Sequence, residues 1–247
     1  QIGAAWTWLR RCLYRRATSL VVQTEGLRPW AEQFVARDAV YVIPNPISAL
    51  PDEAQEKERR ECVSFKKSVS ALGRLVPQKG FDNLLHAFAR CAAKHSDWFL
   101  IIIGEGPERP RLEELTGRLG IVDRVAMIGR LSNPFPVLRQ ADLFVLSSRY
   151  EGFPMALVEA MACRLPVVST DCPSGPRDII RDGVDGVLVP PDDVAALAGA
   201  MDRLMGSPQE RQQLRTRAVE VVERFSTDRI MALWNDVLAQ RAGPSHV

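Results

Sequence analysis

The chain has 247 residues, of which 46% are hydrophobic and 25% charged, with 32 basic side chains against 30 acidic ones. This is ordinary globular composition, long enough for a sizeable core, and it excludes collagen-like and low-complexity classes. A net charge of +2 supplies no broad basic face of the kind nucleic-acid binders carry, so nucleic acid is not an expected partner.

In chain order, Trp6, Trp8, Leu9, Leu13 and Tyr14 interleave with Arg10, Arg11, Arg15 and Arg16. A helix to about Arg16 would be basic and amphipathic, suited either to a peripheral contact with anionic lipid or to packing against a neighbouring domain. A strand at 19–23, a helix at 27–35 and a strand at 40–43 follow. Pro44, Asn45 and Pro46 then stop regular structure, because each proline lacks an amide donor and biases its predecessor to an extended form. Two strands and two helices are too few for a core of their own. Residues 1–44 are therefore expected to be the tail of an upstream domain, 45–225 the main domain, and 226–247 a closing helix and tail. The charged stretch 52–61 reads as a solvated linker.

From residue 69 onward, short β-branched runs alternate with segments of helical period. Strands are expected at 69–72, 98–103, 125–128, 143–146, 166–169 and 186–189. Helices are expected at 81–94, 109–119, 136–140, 155–163, 194–205 and 209–223. This alternation predicts an α/β fold, a Rossmann-like doubly wound parallel sheet. The five cysteines, Cys12, Cys62, Cys91, Cys163 and Cys172, are scattered without the spacing of a zinc site or redox pair and read as reduced thiols of a cytoplasmic protein. No apolar run reaches the ~18 residues that span a bilayer, and no secretion signal follows Gln1.

Two clusters carry chemistry. Segment 71–80 places Gly73 at the end of a strand, then Arg74 and Lys79 five residues apart, then Gly80 just ahead of a helix. Open backbone, fixed cations and a helix terminus suit a diphosphate, although a strand-to-helix turn with solvated basic residues has the same pattern. Segment 147–162 again follows a strand. It holds Glu151, Gly152, Phe153 and Pro154 before a helix that carries Leu157 and Glu159, and both glutamates are expected to border one cleft at the carboxyl edge of the sheet. A third loop, Gly104 to Arg109, starts like a dinucleotide fingerprint. It has Arg109 where the third glycine belongs and Pro107 where an amide is needed, which argues against a dehydrogenase and for a tight turn shaping the same cleft.

These three loops, with the Glu-Ala-Met-Ala-Cys run at 159–163 and the Val-Ile-Pro-Asn-Pro-Ile run at 42–47, resemble family 4 of the retaining glycosyltransferases, which have the GT-B fold. The resemblance extends over roughly residues 19–225 and implies the C-terminal, donor-binding half of such an enzyme. It implies that Arg74 and Lys79 hold the donor diphosphate, that Glu159 accepts ribose hydroxyls, that Glu151 contacts the transferred sugar, and that Gly73 and the backbone from Gly152 through Phe153 and Pro154 to Leu157 approach sugar and phosphate. It further implies a nucleotide-sugar donor, UDP-linked, carrying a hexose or N-acetylhexosamine, a lipid-linked or polysaccharide acceptor, and no metal or other cofactor. No Asp-x-Asp pair is present. Two departures stand out: Arg164 replaces a glycine usual after the motif helix, and Asp178 replaces a usual glutamate in the segment 171–178, which resembles a variant among transferases of N-acetylated hexosamines and envelope polysaccharides. The alternatives are a non-catalytic nucleotide-sugar-binding module and a GT-B epimerase.

Overall fold

The computed structural model describes residues 3–47 and 67–242; the linker expected at 52–61 and Cys62 lie outside them. The central sheet has six strands: β3 (Lys67–Leu72), β4 (Trp98–Ile103), β5 (Val125–Met127), β6 (Leu143–Leu146), β7 (Val167–Thr170) and β8 (Val187–Val189). They run in the order β5-β4-β3-β6-β7-β8. Every neighbouring pair is parallel.

Successive strand side chains point to opposite faces, and a parallel sheet buries both. Val69, Ala71, Leu100, Ile102 and Val145 accordingly join one core cluster. Ile101, Ile103, Phe144 and Leu146 join the other. The first layer is covered by α3 (Phe81–Ala92), α4 (Arg109–Arg118), α8 (Val194–Gly206) and α9 (Pro208–Ala218), through Leu84, Phe88, Leu112, Met201 and Leu214. The second is covered by α5 (Phe135–Gln140), α6 (Met155–Ala162), α7 (Pro176–Ile179), α10 (Val221–Arg224) and α11 (Thr227–Ala242), through Leu138, Leu157, Met161, Ile179, Val221 and Ile230. Strand order reverses direction between β3 and β6, and a crevice opens there beyond the carboxyl ends of the strands.

The N-terminal segment is separate in pairing. It comprises α1 (Ala4–Tyr14), β1 (Leu20–Val22), α2 (Arg28–Ala31) and β2 (Val40–Val42), with β1 and β2 forming a two-stranded parallel sheet over Val22, Ala31 and Val40. It is tied to the main body where Ile47 pairs with Ser226 and its amide donates to the Phe225 carbonyl at 2.8 Å. Tyr41 Oη and Gln240 Oε1 on α11 lie 3.1 Å apart.

Two helices differ from expectation. That expected at 27–35 contracts to Arg28–Ala31 and continues as turns, because Trp30 and Phe34 are drawn into an edge-on cluster with Tyr14, centroids 5.2 to 5.9 Å apart. That expected at 209–223 divides into α9 and α10, with Glu220 at the break held by Arg181 at 2.8 Å. Both are long-range contacts overriding local helical period. Arg164, after α6, takes φ 61, the left-handed conformation that a glycine there would adopt freely. Among the described residues Cys12, Cys91, Cys163 and Cys172 form no disulfide.

Candidate functional site

Loops 73–80, after β3, and 147–154, after β6, meet at the point where strand order reverses. They are laced together by main-chain and side-chain bonds. Ser147 Oγ donates to the Lys79 carbonyl at 2.9 Å, Gln78 Nε2 donates to the Tyr150 carbonyl at 2.9 Å, and the Arg149 amide donates to the Gln78 carbonyl at 2.8 Å. The Arg149 guanidinium takes the Pro77 carbonyl at 2.6 Å and both Asp82 carboxylate oxygens at 3.0 Å. Gly80 makes this approach feasible: its φ is +60, and a Cβ there would collide with the Ser147 carbonyl.

The lacing brings Lys79 to Glu151. Lys79 Nζ lies 2.6 Å from Glu151 Oε1, with side chains only 18% and 7% exposed. Ser148 Oγ donates to the same oxygen at 2.6 Å. Glu151 Oε2 receives no protein donor among the described residues. Gly73 lies against the Lys79 stem, where an added Cβ would come 3.3 Å from Cε. Arg74 is exposed, has no ion pair among the described residues, and lines a cleft of about 610 Å³ with Gly73, Gly104, Gly106, Arg130 and Leu131. The glycine loop after β4 shapes this cleft as a tight turn: the Gly104 backbone packs on Gly73, and the Leu75 amide donates to the Glu105 carbonyl at 3.0 Å.

The remaining expected residues are placed differently. Glu159, in α6, is half-buried and makes no hydrogen bond or ion pair with Lys79, Glu151 or any other described side chain; burial pushes its carboxyl above the ordinary 4.5. Gly152 is exposed beside the Gln23 amide. Phe153 is buried edge-on against Phe225 at 5.3 Å. Pro154 stands at the N-cap of α6, ahead of the helix as expected. Leu157 is wholly buried in the core and its amide donates to the Pro154 carbonyl at 3.0 Å, so its side chain packs α6 onto the sheet. Asp178 accepts the Glu25 amide at 3.0 Å, fastening the N-terminal segment beside the site.

Sequence reading passed over Ser148, Arg130 and Gln23. Arg130 and Leu131 lie in the loop after β5, which ends at Met127, and the rule that ligands bind beyond the carboxyl ends of parallel strands points to every such loop. Gln23 reaches the site from another part of the chain, with no local signal. Chemically, the site offers an exposed guanidinium, an ammonium shared with a carboxylate, and the head of α6, whose first amides are free of intrahelical acceptors. That set suits an anion flanked by hydroxyl donors.

Sheet order and site together define a Rossmann-like domain of the kind present in glycosyltransferases with the GT-B fold. Anabaena Alr3699/HepE, solved in complex with UDP and glucose, superposes with a TM-score of 0.85 at 22% identity, covering 97% of this chain and 68% of that one. The sequence profile of the family described as glycosyl transferases group 1 matches residues 53–221, and the chain belongs to that family. It is 36% identical over 223 residues to exopolysaccharide phosphotransferase SCO2592 of Streptomyces coelicolor, 90% of this chain and 23% of that protein. It is 30% identical over 221 residues to the alpha-D-kanosaminyltransferase of Streptomyces kanamyceticus, 85% of this chain and 57% of that protein. The chain thus spans from about a quarter to under two thirds of the length of these two relatives.

Proposed function

We propose that the chain is the donor-binding part of a retaining glycosyltransferase of family 4, which transfers a hexose or N-acetylhexosamine from a UDP-linked donor to a lipid-linked or polysaccharide acceptor. The observation that carries this reading is the Lys79–Glu151 pair at the β3/β6 switch point, with Arg74, unpaired among the described residues, on the same loop after β3. A leaving diphosphate gains negative charge as the glycosidic bond breaks, so fixed cations bind the transition state more strongly than the ground state. Arg74 and Lys79 take that role without a metal, Glu151 accepts from the sugar, and Glu159 accepts from the ribose. The UDP and glucose bound by the Anabaena protein and the glycosyl transfer named for the Streptomyces kanamyceticus relative support this assignment.

In the same reading, residues 1–44 are the tail of an acceptor domain. A two-stranded sheet over a small cluster is marginal alone, and Trp6 and Trp8 are each 67% exposed on α1. The longer protein would work in the cytoplasm at the inner face of the membrane. Calorimetric titration with UDP tests the core of the proposal. Saturable binding that is lost when Arg74 and Lys79 are both changed to alanine is expected, and no binding by the parent chain would overturn it.

A further inference from the structure

The two serines at the end of β6 divide their work. Ser147 Oγ grips the Lys79 main chain at 2.9 Å, whereas Ser148 Oγ, on the neighbouring residue, grips the Glu151 side chain at 2.6 Å. Successive side chains of an extended strand diverge, so adjacent hydroxyls can serve different partners. Ser148 is wholly buried and its own carbonyl accepts Thr170 Oγ1 from β7 at 2.5 Å, so its backbone is pinned from the next strand.

Glu151 Oε1 therefore has two donors, Lys79 Nζ and Ser148 Oγ, and Oε2 has none among the described residues. An ammonium on a flexible stem follows the strongest anion within reach. A diphosphate arriving beside Arg74 competes with Glu151 for Lys79, and when the ammonium turns toward phosphate only the serine hydroxyl still holds the carboxylate.

We propose that Ser148 is a positioning residue for Glu151: it keeps the carboxylate aimed, with Oε2 open to a sugar hydroxyl, while Lys79 is engaged by the donor diphosphate. This rests on the donor-site reading above. Its consequence is a split between the two halves of the ligand. Loss of the Ser148 hydroxyl leaves diphosphate recognition by Arg74 and Lys79 in place but removes the extra affinity that the sugar contributes through Glu151.

Calorimetry of UDP and UDP-glucose binding to the parent chain, Ser148→Ala and Ser148→Cys provides the test. Cysteine preserves the volume while weakening the donor. The UDP-glucose over UDP preference is expected to fall roughly 10-fold or more in both variants, the size of a lost hydrogen bond to a charged group, with UDP affinity unchanged. An unaltered preference in both variants overturns the proposal. A ligand-free measurement runs in parallel: the ¹³C resonance of the Glu151 carboxyl, assigned through Glu151→Gln, is expected to shift and broaden in Ser148→Ala while the Glu159 resonance stays in place. A parent that binds neither nucleotide counts against the donor-site reading, and the carboxyl resonance then decides the role of Ser148 by itself, its constancy being the overturning result.

Discussion

Lys79 and Glu151, 72 residues apart in sequence, meet at 2.6 Å where the loops after β3 and β6 converge. Arg74, five residues before Lys79, stays exposed and unpaired among the described residues. The two cations differ in what they leave behind. Arg74→Ala should weaken UDP binding without changing the melting temperature. Lys79→Ala should weaken binding and also destabilise the fold by about 2 kcal/mol, because a nearly buried carboxylate loses its counter-charge. Calorimetry and thermal unfolding read the two effects; equal melting temperatures for both variants would contradict the paired geometry.

Glu159 carries a pH signature. Burial raises its folded-state pKa above the ordinary 4.5, so the folded state holds its proton to higher pH than the unfolded state does, and stability falls as pH climbs past 4.5. Glu159→Gln removes that loss. The variant's melting temperature should exceed the parent's by more at pH 7 than at pH 4, together with weaker nucleoside binding. A gap independent of pH would mean that the carboxyl titrates normally.

Asp185 should act on the fold alone. It is wholly buried and accepts from the Arg181 amide at 2.7 Å, from Arg181 Nε at 2.6 Å and from Arg224 Nη1 at 3.3 Å. Asp185→Ala removes the buried acceptor shared by both guanidinium groups, leaving Arg181 with Glu220 and Arg224 with the Ile179 and Asp178 carbonyls, and is expected to cost roughly 1 to 3 kcal/mol, read by urea denaturation. A loss below about 1 kcal/mol, the scale of exposed pairs, would show that the network is solvent-screened.

The free face of α1 gives a surface prediction. Tyr14 is held against Trp30 and Phe34, and Arg10 sits over the Trp30 ring, leaving Trp6, Trp8, Leu9 and Leu13 exposed. Sedimentation of the 247-residue chain with vesicles should rise with the anionic lipid fraction and fall with salt. Equal recovery with neutral vesicles would leave packing against another domain as the sole account of that face. Among the described residues no helix is long and apolar enough to cross a membrane.

Under the proposed function, the two glutamates should separate in the kinetics of a chain joined to an acceptor domain. Glu151→Gln is expected mainly to lower kcat, and Glu159→Gln mainly to raise the donor KM. In the proposed function neither would be a nucleophile: the departing phosphate oxygen would take the acceptor proton on the same face of the sugar. The NMR spectrum of the first-formed product should show the anomeric configuration of the donor, and the opposite configuration would overturn the retaining assignment.

The strands and most helices were legible in the sequence because each core face repeats locally, at two residues along β4 and at three and four along α3. Arg74, Lys79, Glu151 and Glu159 could be singled out as candidates from the sequence, since each sits near a strand end or in the helix that follows, and loop position is a local property. What the tertiary structure alone decided is pairing: that Lys79 meets Glu151, that Ser148 rather than Ser147 holds the carboxylate, and that among the described residues Arg74 stays unpaired and Glu159 has no side-chain partner. It likewise shortened the helix at Arg28 and broke another at Glu220, through the aromatic cluster on Tyr14 and the reach of Arg181. The physical reason is the same in each case. Periodicity reports which face of an element is buried, whereas a hydrogen bond or ion pair across strands depends on sheet order, and strand order β5-β4-β3-β6-β7-β8 is the step that sets residues 79 and 151 side by side.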